Sequence, residues 1–382
     1  TSGQAIFNGF VKGNYNSTAI PAYNINLDVK NGYFKYPDLP KAVQNINLAV
    51  KVDNPDGITD HTVVNIPQAH IEFGADPFDF KLLVKNPVSN MFVDAAAKGK
   101  LDLSSITQFV KLETGTTLKG ILNANATMNG FVSAMTNKQY SQINAAGTVA
   151  LNQFLYASKN YPTGVALDNL LMTFTPKNVT INTIAGKFMN TNFNGNGYVN
   201  NLLAYALQNK ALDGAMNVTA DKVNLNEWMG ISTDTTKKTT QSKPFIVPAN
   251  LNFLVSAKAD EVIYDKLNIQ KLSGNLLIAN EMVKLNDVKG NALDGTIAVT
   301  GFYSTKVNKT KPDIALNYNV ANVDIQKTFT TFNTVQKLAP IGQYAKGMFT
   351  ATLENFKADL DQTMSPILSS LHGNGVFKTV YF

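Results

Sequence analysis

The chain has 382 residues, 44% hydrophobic and 16% charged, a formal net charge of +6, no cysteine and no arginine. The lack of cysteine excludes a disulfide framework, a thiolate nucleophile and a Cys-based metal site. Scattered lysines without arginine argue against a nucleic-acid partner, and no apolar run approaches the roughly 20 residues that a membrane helix needs.

The charged share lies below the roughly 25% usual for soluble domains, and Asn, Ser and Thr take its place, which suits β-structure with a neutral polar face. Residues 3–9 read as a first strand. After a loop and Pro21, a second strand puts Tyr23, Ile25, Leu27 and Val29 on one face and Asn24, Asn26 and Asp28 on the other. A period of two predicts a strand with one face buried. Ile46, Leu48 and Val50 give the next strand, and residues 53–57 (DNPDG) a turn. Residues 62–84 give further strands. Residues 102–112 read as a short helix with Asp102 or Ser104 as its N-cap.

Residues 118–156 hold a second kind of unit, repeated in order at 347–382, where a short helix is expected near 364–371. From 163 to 230 the opening pattern returns: Met172 and Phe174, then Val179, Ile181 and Ile184, with a short helix at 200–208. Residues 231–248 are rich in Ser, Thr and Lys and read as a flexible loop. Phe253 and Val255 open the next set of strands.

The clearest alternation lies between residues 272 and 329. Leu276 and Ile278 share a face, as do Val283 and Leu285, Ile297 and Val299, and then Ile314, Leu316 and Tyr318. Asp294-Gly295 reads as a tight turn, and a helix is expected near 324–337. Met172, Phe174, Val179, Ile181, Gly186 and Gly197 recur as Leu276, Ile278, Val283, Leu285, Gly290 and Gly301, at an offset of about 104 residues. A looser echo links residues 3–29 to the same stretch at about 291 residues.

The expected fold is therefore mostly β: an elongated, curved antiparallel β-sheet, groove-like, built from degenerate repeats with a few short helices. The expected division is 1–230, the loop 231–248, and 249–382. The alternation has two readings, the core of a β-sandwich or β-helix and a long open sheet whose apolar face lines a groove. The second is favoured because the same face continues across the repeats with one linker between them. Residues 1–3 open directly into strand-like sequence and residues 376–382 end in one, so the chain is expected to be a segment of a longer protein.

Catalytic patterns are not found. His61, His70 and His372 lack metal-ligand spacing, and no carboxylate–His pattern surrounds them. Gly195-Asn196-Gly197 and Gly373-Asn374-Gly375 lie in no strand–loop–helix unit, so strand turns explain them better than a phosphate loop. No nucleophile elbow is present. The chain is expected to be no enzyme and to need no metal or cofactor.

The order of a Gly-ended strand, an alternating Val283/Leu285 strand, Gly290, a Gly295–Val299–Gly301 strand, Pro312 and an Ile314–Leu316–Tyr318 strand resembles the AsmA-like proteins of Gram-negative bacteria, in the style of their Bacteroidetes branch. Residues 371–378 (LHGNGVFK) and 22–52 are similar in style. The resemblance covers most of the chain. It implies a periplasmic β-rich body, tethered to the inner membrane by an anchor outside this segment, and related to bridge-like lipid transfer proteins with a role in outer-membrane maintenance. The implied partner is a phospholipid or another acyl-chain lipid. The groove candidates are Ile25, Leu27, Val29, Met172, Phe174, Val179, Ile181, Phe253, Val255, Leu276, Ile278, Val283, Leu285, Ile297, Val299, Ile314, Leu316 and Tyr318. The alternative is a β-rich structural or adhesive surface protein that binds glycan or protein partners. An enzyme on a β-scaffold would need an acidic cluster that the sequence does not display.

Overall fold

A computed structural model describes all residues except 16–19, 36–41, 75, 107–111, 138, 140–141, 160–163, 229–243 and 380–382. Most of the expected loop at 231–248 lies outside the described residues, as does part of the expected helix at 102–112. The described chain is mostly β. It forms one mostly antiparallel sheet of 19 strands that is not closed into a barrel. By internal contacts it divides into two units, residues 1–186 with 198–210, and residues 187–197 with 211–382.

The first unit carries β1 (Ser2–Lys12), β2 (Ala22–Phe34), β3 (Val43–Asn54), β4 (Val63–Phe73), β5 (Asp76–Lys85), β6 (Phe92–Asp102), β7 (Thr117–Phe131), β8 (Ile143–Ala157), β9 (Val165–Phe174) and β10 (Val179–Phe188). Each strand from β1 to β8 pairs antiparallel with the next, and β9 pairs with β10. Three short helices accompany them: α1 (Leu103–Ile106), α2 (Val132–Thr136) and α3 (Leu202–Gln208). Asp102 accepts a hydrogen bond from the Ser104 amide at the start of α1, the expected cap.

The second unit carries β11 (Thr191–Asn200), β12 (Leu212–Asn224), β13 (Leu251–Tyr264), β14 (Leu267–Ala279), β15 (Met282–Ala292), β16 (Gly295–Ser304), β17 (Asp313–Asp324), β18 (Met348–Asp359) and β19 (His372–Thr379). Its helices are α4 (Leu225–Trp228), α5 (Ile325–Thr331) and α6 (Asn333–Leu338). From β13 to β19 the pairing is antiparallel and sequential. β12 and β13 pair in parallel over their whole length. A parallel pair requires a crossover, so the Ser/Thr/Lys stretch between them connects two neighbouring strands of one unit.

Two expectations are corrected. The stretch near 364–371 is no α-helix: an isolated bridge joins Leu360 to Pro366, and a single 3-10 turn spans Leu368–Ser370. Pro366 disfavours a helical Ser365 and has no amide to donate, which explains the extended course. The tight turn is Leu293–Asp294, one residue earlier than Asp294-Gly295. Both residues are left-handed, and Ala292 pairs with Gly295, the geometry of a two-residue hairpin loop. Leu293 tolerates this because its side chain packs against the cluster of Val323, Ile325 and Phe349.

The strands are bent by bulges. Asn31, Asn45, Gln153, Lys271, Asp287, Asn322 and Asn355 are left-handed in mid-strand, and the register shifts at each of them. A bulge adds one residue to one strand, bends it and resets the alternation. Leu285 and Val288, three apart across Asp287, thus both face the same side.

The solvent-accessible area is 22188 Å². A compact protein of 41.5 kDa exposes about 15,000 Å², and two separate compact bodies of half that mass about 18,000 Å². The excess follows from a sheet with no second sheet packed against it among the described residues.

Candidate functional site

Register assigns every paired side chain to a face. In the first unit Val29, Leu48, Ala69, Phe80, Ala97, Ala126, Gly147 and Phe174 form one row across β2 to β9. Ile71, Phe78, Gly99, Ala124, Val149 and Met172 form a second on the same side. Ile25 and Leu27 align with Val52 and Val50 on that side too. Thr173 bonds Asn182 on the opposite side, which leaves Val179 and Ile181 on the apolar one; both are buried.

In the second unit Phe253, Ile278, Val283, Tyr303 and Ile314 form one row, and Val255, Leu276, Leu285, Gly301 and Leu316 the next. Val288, Val299, Tyr318 and Leu353 follow, then Gly290, Ile297, Val320 and Ala351. All the sequence candidates therefore lie on the apolar side of their own unit, in continuous rows. Most are half-buried; Val179, Ile181 and Phe253 are buried, and Ile25 is 37% exposed.

The other side is polar. Asn8, Asn26, Lys51 and Asn65 align in the first unit, and Lys258, Ser273, Lys289, Ala298, Asn319 and Thr352 in the second. Asn–Asn and Thr–Asn hydrogen bonds run between strands, as from Asn26 to Asn8 (2.9 Å) and from Asn217 to Asn196 (3.1 Å). Asn196, Asn217, Ser256 and Asn275 belong to the lining of a shallow hollow of about 570 Å³ on this side.

The apolar side of the second unit is concave. Tyr303 is level with Phe253 in the register, eleven residues from Tyr264 along β13, which is about 36 Å of straight strand. Yet both tyrosines meet Met364. The Tyr264 hydroxyl donates to the Met364 carbonyl at 3.2 Å, and the Tyr303 hydroxyl lies 3.8 Å from Met364 Sδ. Strands that bring their two ends to one residue must curl around the face between them. The bulges at Lys271, Asp287, Asn322 and Asn355 supply that bend. Gly301 permits it locally: its φ is 137°, and a Cβ there would stand 2.0 Å from the Ala315 carbonyl oxygen.

The residues that meet over this trough come from two connectors. Residues 361–367, between β18 and β19, form a strap organised by Asp361, whose Oδ1 accepts from the Thr363 amide (2.8 Å), Thr363 Oγ1 (2.6 Å) and the Ser365 amide (3.0 Å). Burial works to raise the Asp361 pKa, but the hydrogen bonds of Thr363 and Ser365 outweigh it and hold the carboxyl below its ordinary range. The stretch before β13 supplies Val247, which is fully buried, and the Phe245 carbonyl, which accepts from the Tyr303 hydroxyl at 2.6 Å. Burial pushes the phenols of Tyr264, Tyr303 and Tyr318 above their usual pKa, so all three are neutral donors at physiological pH.

In the first unit a helix covers part of the apolar face. Ala204 of α3 is fully buried against Met91, Val93 and Val132, with Leu82, Val84 and Ala95 packed around them. Leu103 of α1 joins a second cluster with Val43, Phe73, Phe78 and Leu101. Toward β1 the face is open: Phe7 is 70% exposed.

A carboxylate–His arrangement is present, contrary to the expectation from the sequence. His70 Nδ1 lies 2.7 Å from Asp79 Oδ1, its partner across the β4–β5 hairpin, and Nε2 lies 3.4 Å from Glu72 Oε1. The hydrogen bond to Asp79 raises the His70 pKa against a smaller effect of burial. Asn45 and Gln44 hydrogen bonds hold Glu72 low. The separation of nine residues is visible in the sequence, but only the pairing of β4 with β5 brings the two together. The trio sits on the polar side, away from the candidate face. Likewise, His61 Nδ1 lies 2.6 Å from Asp56 at a loop.

Among the described residues no helix is long and apolar enough to cross a membrane. No protein-family profile and no curated protein sequence matches this chain.

Proposed function

We propose that the chain binds the acyl chains of lipids along the apolar side of its sheet and acts as a passive conduit for them. The carrying observation is the placement of the apolar rows. They run strand after strand on one side of each unit, half-buried, with no second sheet against them among the described residues. Each CH₂ removed from water contributes about 0.8 kcal/mol, so two long acyl chains face more than about 10 kcal/mol on crossing water. A curled apolar face lowers that barrier without chemistry. Asn, Ser, Thr and Lys on the other side keep the sheet wetted.

The resemblance to AsmA-like proteins supports a setting for this activity in the periplasm, between inner and outer membranes, with the phospholipid as cargo and the membrane anchor in a segment outside this sequence. The test is extraction. The purified chain, incubated with phosphatidylglycerol vesicles and re-isolated by gel filtration, is expected to carry diacyl lipid detectable by mass spectrometry of its organic extract. A lipid-free chain after that treatment contradicts the proposal.

One observation favours a second reading. The Asn- and Ser-lined hollow on the polar side offers many neutral hydrogen-bond groups over a shallow area, as a glycan-binding surface would. Binding of oligosaccharide by a lipid-free chain would support that reading.

A further inference from the structure

Three tyrosines stand on the trough side of the second unit. Tyr264 stands at the end of β13, Tyr303 near the end of β16 and Tyr318 in the middle of β17. Tyr264 and Tyr303 both reach Met364, and Tyr318 pairs with Val299 in a row on the same side. The Tyr264 hydroxyl is engaged by the Met364 carbonyl, and that of Tyr303 by the Phe245 carbonyl. Tyr318 sits edge-on to Phe356, with ring centroids 6.0 Å apart. Its hydroxyl has no hydrogen-bond partner among the described residues. That hydroxyl is also not sealed from open space, since no buried side-chain oxygen is left without a partner.

A donor on an apolar wall with no partner loses free energy unless an acceptor meets it. Ordered water can do so, and so can a ligand. The charges nearby select among ligands. The carboxylates of Asp265 and Asp361 both act on Tyr264, so a ligand with a negative acceptor would be repelled there. A neutral acceptor carried by long apolar chains fits both the wall and the charge.

Resting on the acyl-chain reading above, we propose that Tyr318, on the same side of the sheet as Tyr264 and Tyr303, forms a polar station inside the trough that takes the ester carbonyl of a glycerolipid. The acyl chains lie along the rows of Leu276, Leu285 and Leu316, and the Tyr318 hydroxyl donates to the carbonyl oxygen. The Met364 strap holds the Tyr264 hydroxyl, and the Phe245 carbonyl that of Tyr303, while the station is empty. When the strap moves, the Tyr264 hydroxyl becomes available to the same ester group or its neighbour.

The experiment compares 1,2-dioleoylglycerol with 1,2-dioleylglycerol, its ether analogue without carbonyls, and with oleic acid. Each is presented to the full chain, and the bound fraction is read by native mass spectrometry. The wild-type chain is expected to retain the ester about fivefold better than the ether, the worth of one hydrogen bond. Tyr318→Phe keeps the ring and is expected to erase that preference with an unchanged melting temperature. Asp265→Asn is expected to raise oleic acid retention and leave ester retention as it was. Three results overturn the station: equal retention of ester and ether by the wild type, an undiminished preference in Tyr318→Phe, or oleic acid retained better than the ester. If no lipid of any kind is retained, the acyl-chain reading falls and the station falls with it. Lipids retained without regard to Tyr318 leave the acyl-chain reading standing and remove only the station.

Discussion

The two units cover their apolar faces in different ways. In the first, α3 lays a small residue, Ala204, into an aliphatic cluster with Met91, Val93 and Val132. In the second, two irregular connectors meet over the trough, and tyrosine hydroxyls hold them through main-chain carbonyls and a thioether. Dry packing is close-fitting and resists any change of volume. A hydrogen-bonded strap contributes about 1 kcal/mol per bond and can exchange its partners for those of a ligand. The helix in the first unit therefore reads as a fixed part of the fold, and the strap in the second as a part that can open.

The largest expected effect breaks the fixed side. Ala204→Asp places an uncompensated charge among buried aliphatic groups, and denaturant unfolding should show a loss of about 3–5 kcal/mol. Full stability in the Ala204→Asp variant would mean that α3 does not pack as described. Close behind is Gly301→Val. The positive φ and the neighbouring Ala315 carbonyl leave no room for a branched side chain, and a loss of about 3 kcal/mol is expected in the same assay. An unchanged midpoint would argue that β16 is not bent there.

The strap should respond on a smaller scale and locally. Tyr264→Phe removes the hydrogen bond to Met364 and should raise hydrogen exchange of the amides in 361–367 about fivefold, with global stability reduced by about 1 kcal/mol or less. The same measurement on α3 should show no change. Equal loosening of both would erase the distinction between the units.

The smallest effect concerns pH. Asp79 raises the His70 pKa in the folded chain. Protonated His70 thus favours the folded state. That contribution is complete below the ordinary histidine pKa of about 6.5 and is lost as pH rises through the raised folded value. The ring titration of His70 followed by NMR should have its midpoint above that of a free histidine, and Asp79→Asn should bring it down. Both groups are partly exposed to solvent, so the change in stability itself is small.

Much of the sheet was legible because alternation is a local property. Leu276 and Ile278, or Ile314 and Leu316, share a face whatever the rest of the chain does, and the register keeps them together. What the alternation hid was its own interruption. Asp287 and Asn322 read as ordinary polar positions of a strand, yet each is a left-handed bulge that resets the phase and bends the wall. Asn and Asp tolerate that conformation better than other side chains, so a polar Asx that leaves apolar neighbours three apart was the available signal. The strap was not legible at all. Met364 lies 100 residues from Tyr264 in sequence, and no local pattern links them. The helix expected there does not form because Pro366 overrides the apolar spacing of the segment.

The central claim is that acyl chains occupy one side of the sheet and not the other. Neighbouring residues of one strand test it most directly: a photoreactive phenylalanine analogue at Leu316, which faces the trough, and at Asn317, which faces away. After incubation with phosphatidylglycerol vesicles and irradiation, lipid adducts are expected at 316, and equally at Leu285 in β15, with none at 317. Equal labelling at 316 and 317 would contradict the account.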